Sequence, residues 1–184
     1  MGRELVLLSG GLDSATLMVS LIDARRRVDA LHIDYGHPAA TRELVAATGF
    51  ARQYGIALDV LRVDGLSIAG GTEIPGRNSL LVVLALMHLG PQSGVIYLGV
   101  HAGTGYIDCS PGFINTLQLL LDQYSSGRVQ LSTPFIGASK REIWDLAHEL
   151  GISIGHTYSC ELGRTQPCGE CRSCLDIEAL IAGH

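Results

Sequence analysis

The sequence has no excess of basic residues and no long apolar run. Its 184 residues include 13 lysines and arginines against 18 aspartates and glutamates, a formal net charge of −5. Proteins that hold a nucleic-acid backbone through many phosphates usually carry a basic excess, so direct nucleic-acid binding is disfavoured. No apolar run reaches the roughly 18 residues of a membrane span, and no N-terminal stretch has signal-peptide flanks. We therefore expect a cytoplasmic protein with a small-molecule substrate and no membrane partner.

Charged residues are also scarce, at 17% of the chain against 47% hydrophobic residues. This composition is typical of a globular enzyme and excludes a disordered or fibrous protein. The length fits one domain with a small appendage. The five cysteines are an odd number in the expected cytosolic setting, so they favour metal ligation or chemistry over a disulfide framework.

The first motif follows a short apolar run near the start of the chain. Leu5–Leu8 predicts a buried strand, Ser9–Gly11 a tight turn, and Asp13 and Ser14 occupy the positions of helix caps. Because glycine has no side chain, the backbone N–H groups of this turn can surround an oxyanion, and the helix N-terminus adds partial positive charge. The stretch predicts a phosphate-binding loop; a glycine turn without a ligand is the alternative.

This loop lacks the residues of two other nucleotide-binding motifs. A Walker loop ends in Gly-Lys-Ser/Thr and a dinucleotide fold needs Gly-x-Gly-x-x-Gly, and neither follows the first strand. Residues 9–14 instead read SGGLDS and resemble the loop of the PP-loop ATP pyrophosphatases. That resemblance implies that the loop binds the pyrophosphate of ATP. It also implies that the enzyme activates a substrate by transferring AMP to it and releases pyrophosphate.

Predicted strands and helices alternate along the rest of the chain. Further strands are expected at Val28–Asp34, Leu58–Val63, Val95–Val100 and Val129–Thr133, and helices at Thr41–Tyr54, Ser79–Leu89, Phe113–Tyr124 and Ser139–Leu150. This alternation predicts an α/β fold with a parallel five-stranded sheet and helices on both faces. We expect an ATP-binding domain over residues 1–155 and a small metal-binding segment over residues 156–184.

Polar residues lie at the predicted carboxyl ends of two strands, where such sheets bind ligands. Asp34 ends the second strand and is expected to face the phosphate-binding loop as an ATP contact. The fourth strand leads into a glycine-rich loop that contains Tyr106, Asp108 and Cys109. Substrate contacts are expected in such a loop. A lone cysteine beside glycines is more often a packed residue than a nucleophile.

Two helix starts carry a cation. Arg77 can bind a carboxylate or phosphate through two hydrogen bonds and Asn78 can contact substrate, but Asn78 capping a helix beside a solvated Arg77 explains the residues equally well. Ser139 and Glu142 form a capping box with Lys140 in the first turn. A cation there opposes the helix dipole, so a bound phosphate and an exposed lysine are both open explanations.

Four cysteines lie close together near the C-terminus with the spacing C-x7-C-x2-C-x2-C. Four thiolates on a loop-rich segment match a closed, tetrahedral and therefore structural zinc site. An iron–sulfur cluster and free buried thiols are the competing explanations. The predicted ligands are Cys160, Cys168, Cys171 and Cys174.

The motifs together resemble one family more closely than the superfamily. SGGLDS, DYGH, IPGRN, GYIDC, TPFIGASKREIW and CGECRSC occur in the order found in 7-cyano-7-deazaguanine synthases. That family converts 7-carboxy-7-deazaguanine and ammonia, with ATP and Mg2+, into a nitrile used for queuosine and archaeosine. The resemblance implies a PP-loop ATPase (adenine nucleotide alpha hydrolase-like) fold. It also implies an AMP- and pyrophosphate-forming C–N ligase that binds zinc and forms a homodimer.

The resemblance also implies roles for individual residues. Asp13 and Lys140 are the implied catalytic residues. The implied ATP contacts are Ser9, Gly10, Gly11, Asp13 and Ser14. The implied substrate contacts are Arg77, Asn78, Tyr106 and Asp108.

The chain departs from the family in the part of the site that selects the substrate or the second reactant. An acidic residue is missing from the Gly103–Tyr106 loop, and the family's Cys-Tyr-Asn-Gly is here Cys160–Gly163, with Glu161 in place of tyrosine. The leading hypothesis is adenylation of a 7-deazaguanine-type carboxylate followed by transfer to ammonia. One alternative keeps the adenylation and uses an amine of a protein or other macromolecule. A further alternative is an ATP-binding module without catalysis.

Overall fold

The structure is a computed structural model that describes residues 2–66, 68 and 73–183. Its strands are β1 (Arg3–Leu7), β2 (Asp29–Asp34), β3 (Leu58–Arg62), β4 (Gly94–Tyr97) and β5 (Val129–Ser132). Its α-helices are α1 (Leu12–Asp23), α2 (Ala40–Tyr54), α3 (Arg77–Leu89), α4 (Pro111–Ser125), α5 (Lys140–Glu149) and α6 (Arg172–Ala182). Short 3-10 turns lie at Ala102–Thr104, Ile107–Cys109 and Ile154–His156.

The five strands form one sheet in the order β3-β2-β1-β4-β5, and each neighbouring pair is parallel. Alternate residues of a strand point to opposite faces, so β1 serves two cores. Val6 packs with α1, α2, α5 and α6 on one face, whereas Leu5 and Leu7 pack with α3 and α4 on the other. The predicted α/β fold with helices on both faces is confirmed.

The strand order reverses between β1 and β4. The chain leaves β1 into α1 on one face of the sheet, and it reaches α4 on the other face after β4. The two connections diverge and leave a crevice at the carboxyl ends of these strands, which is where open α/β sheets bind ligands. The Ser9–Ser14 loop follows β1 and therefore borders this crevice.

Several predicted element ends differ in the structure. The residue that precedes α1 is Gly11, so the prediction that Asp13 and Ser14 cap this helix is wrong; both lie inside its first turn. The helix α3 likewise begins at Arg77 after Gly76, which excludes the interpretation of Asn78 as its cap. In both cases the residue at the N-cap position is a glycine, and no side chain caps the helix. The capping box of Ser139 and Glu142 is present.

The C-terminal segment is built against the rest of the chain. Its helix α6, which the sequence did not predict, places Leu180 in the core shared by α1 and α5. The side chain of Arg42 on α2 donates to the carbonyl of Gly163 at 3.2 Å and to the hydroxyl of Thr165 at 2.7 Å. The division into residues 1–155 and 156–184 stays a prediction.

Part of the glycine-rich connection between β3 and α3 lies outside the described residues, at positions 67 and 69–72. Among the described helices, none combines the length and the apolar character that crossing a membrane requires.

Gly10 holds the phosphate-binding loop against α2. Its φ angle is +89°, and a Cβ atom built on it would lie 2.6 Å from the carbonyl oxygen of Glu43 and 2.7 Å from the amide nitrogen of Ala47. Both obstacles are backbone atoms of a helix, so they cannot move aside by a rotamer change. Only glycine therefore fits this position.

Gly10→Ala should lower the free energy of unfolding by at least about 2 kcal/mol, because it adds a left-handed backbone penalty to a steric clash. Gly55→Ala is the matched control, since Gly55 also has a positive φ angle of +66° but has open space around it. That control should cost only about 1 kcal/mol. Urea unfolding measures both values, and equal costs would contradict the packing role of Gly10.

Candidate active site

A cavity of about 250 Å³ opens at the crevice between β1 and β4. Its walls are formed by the loop after β1, the ends of β2 and β4, the loop after β4, the first turns of α2, α3 and α5, and the C-terminal segment. The polar and charged side chains that line it come from Ser9, Asp13, Ser14, His32, Tyr35, Glu43, Arg77, Asn78, His101, Thr104, Tyr106, Lys140, Tyr158, Ser159, Glu161, Arg172, Ser173 and Asp176.

The loop after β1 is shaped by its own hydroxyl groups. The Ser9 hydroxyl lies 3.0 Å from that of Ser14 and accepts the backbone N–H of Gly11 at 3.2 Å. The first helical hydrogen bond of α1 runs from the N–H of Ala15 to the carbonyl of Gly11. The N–H groups at the start of a helix have no acceptor within it, so those of Leu12, Asp13 and Ser14 are available to an anion in the cavity.

Asp13 and Lys140 form an ion pair inside the cavity. Lys140 is the only lysine of the chain, and its Nζ lies 2.5 Å from Asp13 Oδ1. Both side chains are largely covered, with exposed fractions of 25% and 22%. The interpretation of Lys140 as an exposed lysine is therefore wrong. The carboxylate of Asp13 is an anion that faces this helix start, although it is not the phosphate that the pattern suggested.

His101 lies beside this pair on the loop after β4. Its Nε2 is 3.8 Å from Asp13 Oδ2, and the residue is only 5% exposed. Burial lowers the pKa of the imidazole more than the nearby carboxylate raises it. The ring is thus held in its neutral form, with one nitrogen able to accept a proton.

Tyr35, Tyr106 and Glu161 line the cavity together with Arg77. Burial raises the pKa of Tyr35 to about 12, and the Arg77 cation acts against that rise. Burial is also the main cause that raises the pKa of Tyr106; the negative charge of Glu161 adds to the rise, and Arg77 opposes it. These side chains supply a cation, two neutral phenols and a carboxylate, which suits a planar polar ligand.

Asn78 lines the cavity, whereas Asp108 does not. Asp108 is 3% exposed; its carboxylate accepts the N–H of Asn78 at 3.2 Å, and its carbonyl accepts the Asn78 side-chain amide at 3.0 Å. Its contacts therefore position Asn78. Cys109 is buried beside them, and burial raises the pKa of its thiol, which disfavours a nucleophilic thiolate.

Asp34 and Gly10, which were predicted to contact ATP, do not line the cavity. Asp34 ends β2, and its Oδ1 accepts the N–H of Gly36 at 3.0 Å, so this carboxylate stabilises the turn after the strand. Gly10 contacts the backbone of α2, as described above. The remaining predicted site residues of the cavity, brought together from four parts of the chain, are Ser9, Gly11, Asp13, Ser14, Arg77, Asn78, Tyr106 and Lys140.

The four C-terminal cysteines converge at one point. Their sulfur atoms all lie within 4.8 Å of one another, and those of Cys168 and Cys174 are 3.8 Å apart. Four sulfurs held about 2.3 Å from one central ion are separated by about 3.8 Å. A cluster with several iron atoms between the sulfurs needs wider spacing. The arrangement therefore suits one metal ion.

The cysteine sulfurs already have hydrogen-bond donors around them. Burial opposes ionisation of Cys160, but three backbone N–H groups donate to its sulfur and bring its pKa down to about 6. The pKa of Cys174 is raised to about 12, chiefly by burial. A cation bound at the cluster would favour ionisation of these thiols.

The cysteine cluster also holds one wall of the cavity. The N–H of Tyr158 donates to the carbonyl of Gly10 at 3.0 Å, which joins this segment to the phosphate-binding loop. None of the cavity-lining residues of this wall was predicted as a site residue, because apart from the departure at Glu161 their only signal in the sequence is proximity to Cys160 and Cys171. These residues are Tyr158, Ser159, Glu161, Arg172, Ser173, Asp176 and Ile177.

Comparison with known proteins matches nearly the whole chain. The family described as queuosine biosynthesis protein QueC matches residues 3–73 and 67–179. A 7-cyano-7-deazaguanine synthase from Synechococcus sp. (strain CC9605) is 36% identical, over 96% of this chain and 91% of the relative. The 7-cyano-7-deazaguanine synthase from Microcystis aeruginosa is 34% identical, over 99% of this chain and 93% of the relative.

Solved structures share the fold at low sequence identity. The U34-tRNA thiolase NcsA from Methanococcus maripaludis, described with its 4Fe-4S cluster, gives a TM-score of 0.60 at 18% identity. The match covers 98% of this chain and 65% of NcsA. The NMN synthetase from Francisella tularensis gives a TM-score of 0.59 at 14% identity, over 91% of this chain and 70% of that chain.

Cys171→Ser should reduce the bound metal well below one ion per chain, because a closed tetrahedral site needs all four thiolates. The loss should also make residues after Thr157 sensitive to protease, since binding of a structural metal contributes to folding. Cys109→Ser is the control and should keep its metal, because Cys109 lies outside the cluster. Elemental analysis and limited proteolysis test this, and equal metal in Cys171→Ser and the wild type would contradict the assignment.

Proposed function

The chain belongs to the family described as queuosine biosynthesis protein QueC, and we propose that it is a 7-cyano-7-deazaguanine synthase. In this proposal it is a ligase that uses ATP to convert 7-carboxy-7-deazaguanine and ammonia into the nitrile. One observation carries it: a single cavity connects the loop after β1 with Arg77 and Tyr106. Such a cavity allows ATP and a planar carboxylate to meet.

In the first step the carboxylate attacks the α-phosphorus of ATP, which forms an acyl adenylate and releases pyrophosphate. The N–H groups at the start of α1 bind the departing pyrophosphate, and Lys140 supplies a positive charge beside it. Arg77 is the cation that can hold a carboxylate or phosphate through two hydrogen bonds. These donors are most useful when negative charge develops on the oxygens of the leaving group.

In the second step ammonia attacks the acyl carbon, and AMP leaves with the electrons of its bond to that carbon. The nitrogen loses a proton and an amide forms; neutral His101 is the buried group beside Asp13 that can accept it. A second ATP then activates the amide oxygen, again with loss of pyrophosphate. Departure of AMP and of the remaining N–H protons leaves the carbon–nitrogen triple bond.

Mg2+ and Zn2+ belong to this proposal because the residues present suit them. Asp13 Oδ2 is the carboxylate oxygen that Lys140 does not hold, so Asp13 would hold Mg2+, and the ion would neutralise phosphate charge. The four cysteines suit Zn2+, which would stabilise the fold of the C-terminal segment.

We also propose a cytoplasmic homodimer, which the exposed apolar side chains of Leu119 and Tyr124 on α4 support.

Asp13→Asn should lower the rate of AMP and pyrophosphate formation by about 100-fold, since it removes a charge at the site where phosphate charge develops. Asp23→Asn is the control, because Asp23 lies on the same helix and is exposed. Its rate should stay within about twofold of the wild type. The assay supplies ATP, Mg2+, the carboxylate and ammonia, and formation of ADP instead of AMP would exclude this class of reaction.

The products of the same assay separate the proposal from its two alternatives. A free nitrile supports the synthase. A deazaguanine adduct on an added protein or other macromolecular amine, with no free nitrile, would support conjugation. Tight ATP binding without pyrophosphate release from any carboxylate would support a binding module.

ATP should protect Lys140 from an amine-reactive reagent. The chain contains no other lysine, so modification of this side chain can be followed in one peptide by mass spectrometry, with the α-amino group as internal reference. Bound ATP should slow the labelling of Lys140 at least about fivefold, because the side chain lies in the cavity beside the phosphate-binding loop. Equal labelling rates with and without ATP would contradict this position for the nucleotide.

A further inference from the structure

Glu161 is a carboxylate at the wall of the cavity. It stands where the resembled family has a tyrosine, next to the cluster residue Cys160. Glu161 is partly buried. Within the described part of the chain, no salt bridge pairs Glu161 with a cation.

The position of this carboxylate is held by Ser173. The Ser173 N–H donates to Glu161 Oε1 at 3.2 Å, and the Ser173 hydroxyl donates to the same oxygen at 2.7 Å. Ser173 lies between Cys171 and Cys174, so the cysteine cluster fixes both residues that make these bonds. The carboxylate is therefore oriented before any ligand binds.

Both hydrogen bonds fall on Oε1. Within the described residues, Glu161 Oε2 has no hydrogen-bond partner, and the residue lines the cavity. An ionised carboxylate offers about four acceptor positions, so at least two remain on Oε2. A nitrogen of a ligand in the cavity can use them by donating a hydrogen bond.

Glu161 lines the same cavity as Arg77 and Tyr106. Its negative charge also helps to raise the pKa of Tyr106, which Arg77 opposes. The proposed reaction brings two kinds of N–H donor to this cavity: the N1–H and 2-amino edge of the deazaguanine ring, and the incoming ammonium.

We propose that Glu161 is a specificity-determining residue whose Oε2 accepts a hydrogen bond from a nitrogen donor of the reactants. The inference rests on the proposed function and deepens it, because it assigns substrate selection to the cysteine-bearing segment as well as the sheet. A carboxylate selects donors and repels acceptors, so it discriminates between ligands of similar shape. Tyrosine at this position carries no charge and has a different reach.

Glu161→Gln is the test variant, since it is nearly isosteric and its amide oxygen can still accept from Ser173. Two assays are run with the metal-loaded full chain. ATP–pyrophosphate exchange with the carboxylate and no ammonia gives the KM of the carboxylate. Amide formation at saturating carboxylate gives the KM of ammonia. Glu170→Gln is the matched control, because Glu170 is an exposed residue of the same segment outside the cavity.

Glu161→Gln should raise one of the two KM values at least about tenfold, as expected for loss of a hydrogen bond to a charged group. A raised KM for the carboxylate, with or without a change for ammonia, assigns the ring edge as the partner. A raised KM for ammonia alone assigns the ammonium. Metal content, melting temperature and the Kd of ATP should stay at their wild-type values, which a purely structural role would not predict.

Unchanged values of both KM in a metal-loaded Glu161→Gln protein would overturn the inference. If that variant loses metal, Ser173→Ala replaces it. This second variant removes the hydroxyl that orients Oε1 and should raise the KM of the carboxylate or that of ammonia about threefold. No rise in either KM would overturn the inference. A wild-type protein that shows no pyrophosphate exchange contradicts the proposed function itself, so the two failures are distinguishable.

Discussion

The site depends on one constraint: the connections that follow the neighbouring strands β1 and β4 run to opposite faces of the sheet. Hydrogen bonding forces these strands to lie side by side, while right-handed crossovers send their following helices to opposite faces. These two connections diverge and leave a crevice between them. The loop after β1 and the loop after β4 must therefore face each other across it, which brings Asp13 and His101 within 3.8 Å.

The crevice becomes a cavity only because the C-terminal segment closes one side. Tyr158 attaches this segment to the carbonyl of Gly10, and Arg42 attaches it to α2. The cysteine cluster then holds Glu161 and Ser173 in place from both flanks. A segment of this size has little apolar surface of its own, so metal binding at the cluster would help to order it. The cysteine cluster thus supports the cavity wall as well as the fold of the segment.

The cavity is lined by two sets of charged and polar side chains. Asp13 and Lys140 form an ion pair beside neutral His101, and Arg77, Tyr106 and Glu161 line the cavity as well. The first set is suited to phosphate charge that changes during a reaction, because its groups are already oriented. The second set combines one positive and one negative group, which is suited to a polar ring with a carboxylate. One cavity can therefore serve two reactants.

The sequence alone determined the α/β alternation, the glycine turn between β1 and α1 and the four-cysteine cluster, because each depends on neighbours within a few residues. Tertiary structure decided what depends on distant parts of the chain. Asp108, which was predicted to contact substrate, instead accepts a hydrogen bond from Asn78, thirty positions away. The cavity wall at Glu161 belongs to a segment more than a hundred residues after β1. Local pattern carries no information about such contacts, since their partners meet only after the sheet has formed.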